Sequence, residues 1–152
     1  MRMRDEVELK DVTAENRKAV AALELDPAQE DLVASNVESL TEARFDRDAR
    51  PRAIYASGCV VGFLMYDVGA ADEEPREAVI YRFMIDRRHQ GKGYGRAALA
   101  RALDEIRAIP RVRRVSISYM PDNPVAKPFY GSFGFVEVGL DEDGEMLAEL
   151  EL

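Results

Sequence analysis

The sequence has little of two residue types that often carry catalysis or metal binding. Cys59 is the only cysteine, so an intramolecular disulfide and a cysteine-ligated metal cluster are excluded. His89 is the only histidine, which excludes any mechanism that needs two of them, and no metal site is expected. Cys59 lies in the apolar stretch GCVVGF, and we predict a buried strand residue and not a reactive thiol.

Long apolar runs are absent as well. No stretch approaches the roughly 20 residues that a membrane-spanning helix needs, and the charged segment from Met1 to Lys10 is unlike a signal peptide. We therefore expect a cytoplasmic protein with no membrane partner. Of the 152 residues, 47% are hydrophobic and 33% are charged, as in ordinary globular proteins, and residues 1–152 are predicted to form a single domain.

The formal net charge of −8 is unevenly distributed along the chain. Segment 87–114 contains nine Lys or Arg and two Asp or Glu, a net charge of +7, which leaves −15 on the remainder. An acidic protein is not expected to bind nucleic acid, and its charge favours a cationic partner. The basic segment instead indicates a bound anion, because four of its cations crowd a group of glycines; these are Arg87, Arg88, Lys92 and Arg96.

Hydrophobic periodicity and turn signals predict a mixed α/β sheet with the element order β-α-α-β-β-β-α-β-α-β-β. The predicted strands are 7–12, two strands within 52–68 that flank Ser57-Gly58, 78–85, 112–119, and two after Gly134 that flank Asp143-Gly144. The predicted helices run from Thr13 to about Leu23, from Asp26 to about Phe45, from the glycine-rich loop to about Ile109, and briefly after Asn123. Since a helix connects strands 78–85 and 112–119, these two are expected to be parallel.

One loop carries the clearest chemical signal. The segment DRRHQGKGYGRAAL (86–99) follows a predicted strand and opens a predicted helix, with glycine at 91, 93 and 95. A helix N-terminus offers unpaired N–H groups and the positive end of the helix dipole. Glycine lets an anion approach the backbone and adopts positive φ without strain. We therefore predict that this loop binds a pyrophosphate.

Two common nucleotide-binding motifs do not fit the loop. It lacks G-x-x-x-x-G-K-[ST], and it fails G-x-G-x-x-G because its third glycine comes one position early. The acidic ribose partner expected about twenty residues further on is also missing, because that region is Pro110 to Arg114. A P-loop NTPase and a Rossmann dinucleotide-binding protein are therefore disfavoured.

Two linked motifs point to one family. QGKGYG, from Gln90 to Gly95, resembles the Q/R-x-x-G-x-G/A signature of the GNAT superfamily of acyl-CoA N-acyltransferases. NPVAKPFYGSFGF is similar to the family's N-x-x-A-x-x-x-Y-x-x-x-G-F, with its positions held by Asn123, Ala126, Tyr130, Gly134 and Phe135. The predicted element order resembles the GNAT fold, a mostly antiparallel mixed sheet flanked by helices. RFMIDRRHQGKGYG further resembles the R-F-F-I-D-x-x-x-Q-G-K-G-x-G of bacterial spermine/spermidine (diamine-type) acetyltransferases.

The resemblance implies that the chain uses acetyl-CoA as a co-substrate. Backbone groups of Phe83, Met84 and Ile85 would hold the pantetheine arm and polarise the thioester carbonyl. The pyrophosphate would be bound by the loop, whose residues are Gln90, Gly91, Lys92, Gly93, Tyr94, Gly95 and Arg96. Asn123 would cap a helix and contact acetyl-CoA. The candidates for the 3′-phosphate, which otherwise are simply solvated, are Arg87, Arg88 and Lys127.

Tyr130 is the residue to which the resemblance assigns catalysis. A phenol, whose ordinary pKa is about 10, would give its proton to the thiolate that leaves when the thioester is cleaved. The alternative for Tyr130 is a core tyrosine packed beside Phe129 and Phe133.

The sequence departs from these relatives at the general base. Many of them carry an acidic residue at the position that Tyr81 occupies here. A carboxylate of the predicted second helix (Glu30, Asp31 or Glu38) or a chain of waters would replace it, and those carboxylates would also attract a polycation. Tyr81 and Tyr119 are expected to line the acceptor side of the site.

The expected function is transfer of an acetyl group from acetyl-CoA to a primary amine, a polyamine or related small cation, by direct attack in a ternary complex. One alternative is a different acceptor: a protein N-terminus, a lysine, an amino acid or an aminoglycoside. The other is a non-catalytic domain that binds acyl-CoA. Family members commonly form homodimers, and the C-terminal MLAELEL (146–152) is a candidate for pairing across such an interface.

Overall fold

The structure, a computed structural model, describes residues 7–24, 48–69 and 76–152, together with Asn36 and Leu40. The elements bounded within these residues are, in chain order, β1 (Val7–Asp11), α1 (Arg17–Ala21), β2 (Ala49–Ala56), β3 (Cys59–Val68), β4 (Arg76–Ile85), α2 (Tyr94–Arg107), β5 (Val112–Tyr119), α3 (Ala126–Gly131), β6 (Val136–Leu140) and β7 (Met146–Glu151). A single 3₁₀ turn, Arg87–His89, lies between β4 and α2.

The seven strands form one sheet in the order β1-β2-β3-β4-β5-β7-β6. β4 and β5 are parallel, and every other neighbouring pair is antiparallel. The predicted mixed, mostly antiparallel α/β sheet is therefore confirmed, as is the parallel crossover through α2. This crossover places the glycine-rich loop at the end of a central strand.

Apolar side chains cover both faces of the sheet. On one face, α2 buries Leu99, Leu103 and Ile106, the three residues predicted to share a face, each at most 2% exposed. On the other face, Val20 of α1 and Leu40 pack in a separate buried cluster. Burial of one such side chain stabilises a fold by about 1.5–3 kcal/mol, so α2 is firmly held against the strands. Of the helices that the structure describes, none is long and apolar enough to cross a membrane.

The first helix is shorter than predicted. It begins at Arg17 and not near Thr13, because the Asn16 side chain organises a turn before it. The Thr13 amide donates a hydrogen bond to Asn16 Oδ1 (2.8 Å), and Asn16 Nδ2 donates to the carbonyl of Asp11 (2.9 Å). The turn and α1 together occupy the predicted helical segment.

The second predicted helix, from Asp26 to Phe45, lies outside the described residues apart from Asn36 and Leu40. Both of these are helical. Asn36 Nδ2 donates a hydrogen bond to the carbonyl of Val20 (2.8 Å), which ties this position to α1.

The predicted hairpin between β2 and β3 is confirmed, but its cysteine is not buried. Ser57 and Gly58 have φ values of 49° and 82°, as a two-residue hairpin turn requires. Cys59 follows the turn and is exposed, so the prediction of a buried cysteine is wrong. It lies at the hairpin tip, and β3 enters the core only from Val61, which is 1% exposed.

The C-terminal strand is internal to the sheet. β7 pairs with β5 on one side and with β6 on the other. Both of its hydrogen-bonding edges are occupied within the chain from Met146 to Glu149, so this part of MLAELEL has no open edge for the pairing with a second copy that the sequence suggested. The edge strand at this end of the sheet is β6.

Candidate active site

β4 and β5 separate halfway along β4. Their pairing ends at Ile80, whereas β4 continues to Ile85 and remains paired with β3. The separation begins at a β-bulge, where Tyr81 is an extra residue in β4 with no partner in β3. A bulge bends its strand and increases the local twist, which turns the second half of β4 away from β5.

A cavity of about 390 Å³ lies in this gap. The predicted site residues that line it are Tyr81, Phe83, Met84, Ile85, Gln90, Gly95, Tyr119, Asn123 and Tyr130. The predicted residues that do not line it belong to the adjoining loop (Gly91, Lys92 and Gly93) and to the first turn of α2 (Tyr94 and Arg96). The two separate sequence motifs thus meet at one cavity.

The second half of β4 presents a backbone edge to the cavity. Phe83, Met84 and Ile85 pair with β3 on their other edge, and no described strand pairs with them on the cavity side. The carbonyl of Ile85 accepts a hydrogen bond from Gln90 Nε2 (2.9 Å), which anchors the start of the loop to the strand. An extended ligand could add to the rest of this edge as a further strand does.

Gly62 of β3, which we did not single out from the sequence, sets the position of this edge. A Cβ at residue 62 would lie 2.5 Å from the carbonyl oxygen of Met84 and 2.9 Å from the Ile85 side chain. Because a contact of 2.5 Å with backbone cannot be relieved by a rotamer change, only glycine permits this approach. A glycine inside an otherwise apolar strand is the sequence signal for such a contact.

The loop between β4 and α2 has the predicted conformation. Gly91 and Gly93 have φ values of +78° and +83°, which glycine adopts without strain. The four amides from Gly93 to Arg96 donate no hydrogen bond to any described residue. They lie at the positive end of the 14-residue helix α2. This combination suits the oxygens of a phosphate group.

Asp86, a residue that the sequence analysis missed, fixes the start of the loop. Its side chain is fully buried, and it accepts hydrogen bonds from the amides of Glu24 and Arg88, both 2.9 Å, and from the Arg88 guanidinium at 2.9 and 3.2 Å. These hydrogen bonds hold the pKa of Asp86 far below its usual range, and those from the Arg88 guanidinium have the largest effect. An aspartate directly before a turn was the available signal, but its partner at residue 24 is 62 positions away.

The three candidates for the 3′-phosphate each pair with a carboxylate. Arg87 lies 3.3 Å from Glu24, Arg88 2.9 Å from Asp86, and Lys127 3.3 Å from a carboxylate on β6. Each remains largely accessible, with 48%, 67% and 73% of its side chain exposed. The pairs of Arg87 and Lys127 are surface pairs that are weak enough to rearrange around a ligand, whereas the Arg88 guanidinium is held by the buried Asp86 carboxylate.

Tyr130 both packs in an aromatic cluster and lines the cavity. Its ring stacks on Tyr119 (centroids 5.6 Å apart, planes at 13°) and meets Phe129 and Phe135 edge-on. Its hydroxyl donates no hydrogen bond to any described residue. Burial, reinforced by the nearby Tyr119, raises the pKa of Tyr130 far above the ordinary value of 10. The phenol is therefore protonated at neutral pH.

The hydroxyl of Tyr119 is hydrogen-bonded to Glu137, another residue of the site that we did not identify from the sequence. It donates a hydrogen bond of 2.7 Å to Glu137 on β6, and burial together with this bond raises the pKa of Tyr119 to about 12. Glu137 also contacts Lys127 (3.3 Å). The result is a ring held parallel to that of Tyr130.

Asn123 and Arg96 organise the helix next to the cavity. Asn123 Oδ1 accepts hydrogen bonds from the amides of Val125 (3.0 Å) and Ala126 (3.2 Å), so it orders the turn before α3, although the residue at the N-cap of that helix is Val125. Arg96 donates from Nη2 to Ser132 Oγ (2.8 Å) and lies over the Phe133 ring. The two Arg96 contacts join the first turn of α2 to the segment that directly follows α3.

Only some of the residues predicted for the acceptor side of the site are among those that the structure describes. Tyr81 lines the cavity, and its carbonyl accepts a hydrogen bond from Arg82 Nη1 (2.8 Å). Glu30, Asp31 and Glu38 lie outside the described residues. Among the residues that are described, no group of His, Cys, Asp and Glu could hold a metal ion.

The profile of the Acetyltransferase (GNAT) family matches residues 17–135. The chain therefore belongs to this family and is an acetyltransferase. The spermine/spermidine N(1)-acetyltransferase of Bacillus subtilis (strain 168) is 31% identical to it over 150 residues, which cover 96% of this chain and 99% of that one.

Solved structures show the same fold. The spermidine N-acetyltransferase from Vibrio cholerae in complex with CoA and spermine superposes with a TM-score of 0.75 at 21% identity, covering 97% of this chain and 95% of that one. The ribosomal-protein-S18-alanine N-acetyltransferase from Escherichia coli gives a TM-score of 0.71 at 18% identity, with coverages of 95% and 93%. Since both identities are low, these two likenesses concern the fold alone.

Proposed function

We propose that the protein transfers the acetyl group of acetyl-CoA to a primary amine of the polyamine or small-cation class, by direct attack in a ternary complex. The observation that carries the proposal is the gap between β4 and β5. It brings an unpaired strand edge, a loop with free amides and the half-buried phenol of Tyr130 to one cavity of about 390 Å³.

Acetyl-CoA fits the groups that surround this cavity. The free amides from Gly93 to Arg96 would bind its pyrophosphate, and the positive charges of Lys92 and the neighbouring arginines would add to that attraction. The backbone edge of Phe83, Met84 and Ile85 would hold the pantetheine amides as a strand would. Gln90 would contribute by keeping the loop attached to the carbonyl of Ile85, the contact at 2.9 Å.

The transfer requires two proton movements. The amine nitrogen forms a bond to the thioester carbon and loses a proton, while the carbon–sulfur bond breaks and the sulfur takes up a proton. The Tyr130 hydroxyl is the proposed donor to that sulfur, because it lines the cavity and its raised pKa keeps the proton in place until negative charge develops. Cys59 does not line the cavity, which agrees with direct transfer and not with an acyl-cysteine intermediate.

The acceptor class rests on charge and on relatives. The net charge is −8 although the cofactor loop is basic, so the rest of the surface attracts cations. A relative with 31% identity over nearly the whole chain is named for spermine and spermidine. The carboxylates at 30, 31 and 38 remain candidates for the general base, because Tyr81 occupies the position at which many relatives carry an acidic residue.

One observation favours a second acceptor class. Arg82 lines the same cavity, and a guanidinium there would attract an acceptor that carries a carboxylate, such as an amino acid. Its side chain also lies over the Tyr81 ring, 5.1 Å from the centroid.

The test is to incubate the protein with acetyl-CoA and separately with spermidine, spermine or a set of amino acids, and to measure free CoA and the acetylated amine by chromatography and mass spectrometry. We expect release of CoA that depends on a polyamine. Release that depends only on amino acids would favour the second class. No release with any amine, from folded protein that binds acetyl-CoA, would refute the proposal.

A further inference from the structure

The side chain of Glu145 lines the cavity. It is a carboxylate that lies outside the predicted second helix, where we expected the acidic residues of the acceptor site. Of the described residues that form the lining, only Arg82 and Glu145 are charged, and only Glu145 is negative. Glu145 directly precedes β7, and the next residue, Met146, lies opposite Tyr119 at the end of β5. It therefore comes from the β5–β7 side of the gap, whereas the phosphate-binding loop follows β4.

A tight turn fixes the backbone of Glu145. Its amide donates a hydrogen bond to Asp141 Oδ1 (3.0 Å), and its carbonyl accepts one from the Asp141 amide (2.8 Å). The same Asp141 carboxylate accepts a hydrogen bond from the amide of Asp143 (2.9 Å). Because both backbone groups of Glu145 are engaged, its side-chain carboxylate is the group that it can offer to a ligand.

That carboxylate makes no hydrogen bond or ion pair with any described residue, although the residue is half-buried. A partly buried carboxylate in a cavity interacts more strongly with an incoming cation than a solvated one does, because water screens it less. The cavity lining that follows β4 in the chain is otherwise largely apolar or aromatic and includes Met120 and Tyr130.

We propose that Glu145 binds a positively charged nitrogen of the acceptor amine and so sets the preference for cationic acceptors. This inference rests on the proposed acetyl transfer to amines, and it assigns the residue a binding role and not that of the general base. It supplies, from the β5–β7 side of the gap, a negative charge in a site whose β4 wall carries Tyr81 and Arg82.

The test compares Glu145→Gln with Glu142→Gln. Both substitutions keep the side-chain shape and remove one negative charge from the same turn, but Glu142 is exposed and does not line the cavity. For Glu145→Gln we expect KM for spermidine to rise about tenfold or more, with kcat and KM for acetyl-CoA nearly unchanged. Glu142→Gln should match the wild type, and Glu145→Asp should recover part of the lost affinity.

Two kinetic results would overturn the inference. One is a Glu145→Gln variant whose kinetics match those of Glu142→Gln. The other is a fall in kcat with KM for spermidine unchanged, which would indicate a role in the chemical step. Melting curves and acetyl-CoA binding establish that each variant is folded.

A direct binding measurement separates this inference from the proposed function. Spermidine should raise the melting temperature of the wild type and of Glu142→Gln more than that of Glu145→Gln, whether or not turnover occurs. If the wild type acetylates no amine, the proposed function fails on its own. If it acetylates spermidine while all three proteins respond equally to spermidine, only the role of Glu145 fails.

Discussion

Replacing Asp86 by alanine should lower the free energy of unfolding by about 3 kcal/mol. The fully buried carboxylate accepts hydrogen bonds from three donor groups, the Glu24 amide, the Arg88 amide and the Arg88 guanidinium. A hydrogen bond to a charged group contributes about 1.5–3 kcal/mol when water is excluded. Glu24 and Arg88 are themselves exposed, so water can partly replace the carboxylate, and about 1 kcal/mol for each donor is the appropriate magnitude.

Urea and thermal denaturation measure this loss. For a chain of this length, 3 kcal/mol corresponds to a fall in Tm of about 6–12 °C. Asp122→Ala is the matched control, because Asp122 is exposed, and its effect should stay within about 0.5 kcal/mol. A loss below about 1 kcal/mol for Asp86→Ala would refute the reasoning, since the three hydrogen bonds would then contribute almost nothing.

The hydrogen bonds of Asp86 also predict how the free energy of unfolding depends on pH. The pKa of Asp86 in the folded protein is depressed, whereas in the unfolded chain it is near 3.9. The unfolded state therefore takes up the proton first as the pH falls, and the stabilisation is fully present above about pH 5 and declines below about pH 4. The stability difference between wild type and Asp86→Asn should shrink across that range, and a difference that is constant down to pH 2.5 would contradict the assignment.

Three further predictions concern the cavity and its loop. Tyr130→Phe should lower kcat by about 10²-fold or more with little change in the Kd of acetyl-CoA; equal loss of both, or of neither, would reject its role as proton donor. Gly93→Val should abolish acetyl-CoA binding measured by calorimetry, because valine is strained at φ +83°. Gly58→Val, with φ +82° in the β2–β3 turn and so outside the glycine-rich loop, should bind normally; micromolar binding by Gly93→Val would contradict the loop geometry. Tyr119→Phe should lower the free energy of unfolding by about 1 kcal/mol in urea denaturation, because it removes the hydrogen bond to Glu137, and an unchanged value would show that this bond does not stabilise the fold.

Local signals in the sequence were sufficient for most of the sheet and for the backbone conformation of the glycine-rich loop. Alternation of apolar residues identified β1, Ser57-Gly58 identified the hairpin, and glycines at 91 and 93 identified backbone that needs positive φ. Each of these features depends on residues that are neighbours in the chain, so a single sequence reports them directly.

The features that were missed depend on distant parts of the chain. Asp86 is important because the Glu24 amide, 62 residues earlier, reaches it, and Glu137 matters because β6 brings it to Tyr119. Cys59 has the apolar neighbours of a core residue, yet its place at the hairpin tip leaves it exposed. Similarly, β7 has the composition of an edge strand, with alternating glutamates, but strand order places it between β5 and β6.

The exposed thiol of Cys59 also affects how the activity can be measured. Colorimetric assays of acetyl transfer commonly detect released CoA with a thiol-reactive dye, and each protein molecule contributes one accessible thiol of its own. A slow acceptor has to be assayed at high protein concentration. The dye signal from Cys59 would then increase with the amount of protein, and even without an amine it would resemble the release of one CoA per protein molecule. A Cys59→Ser protein would remove that background, and the same single cysteine would give the wild type one defined position for a spectroscopic label.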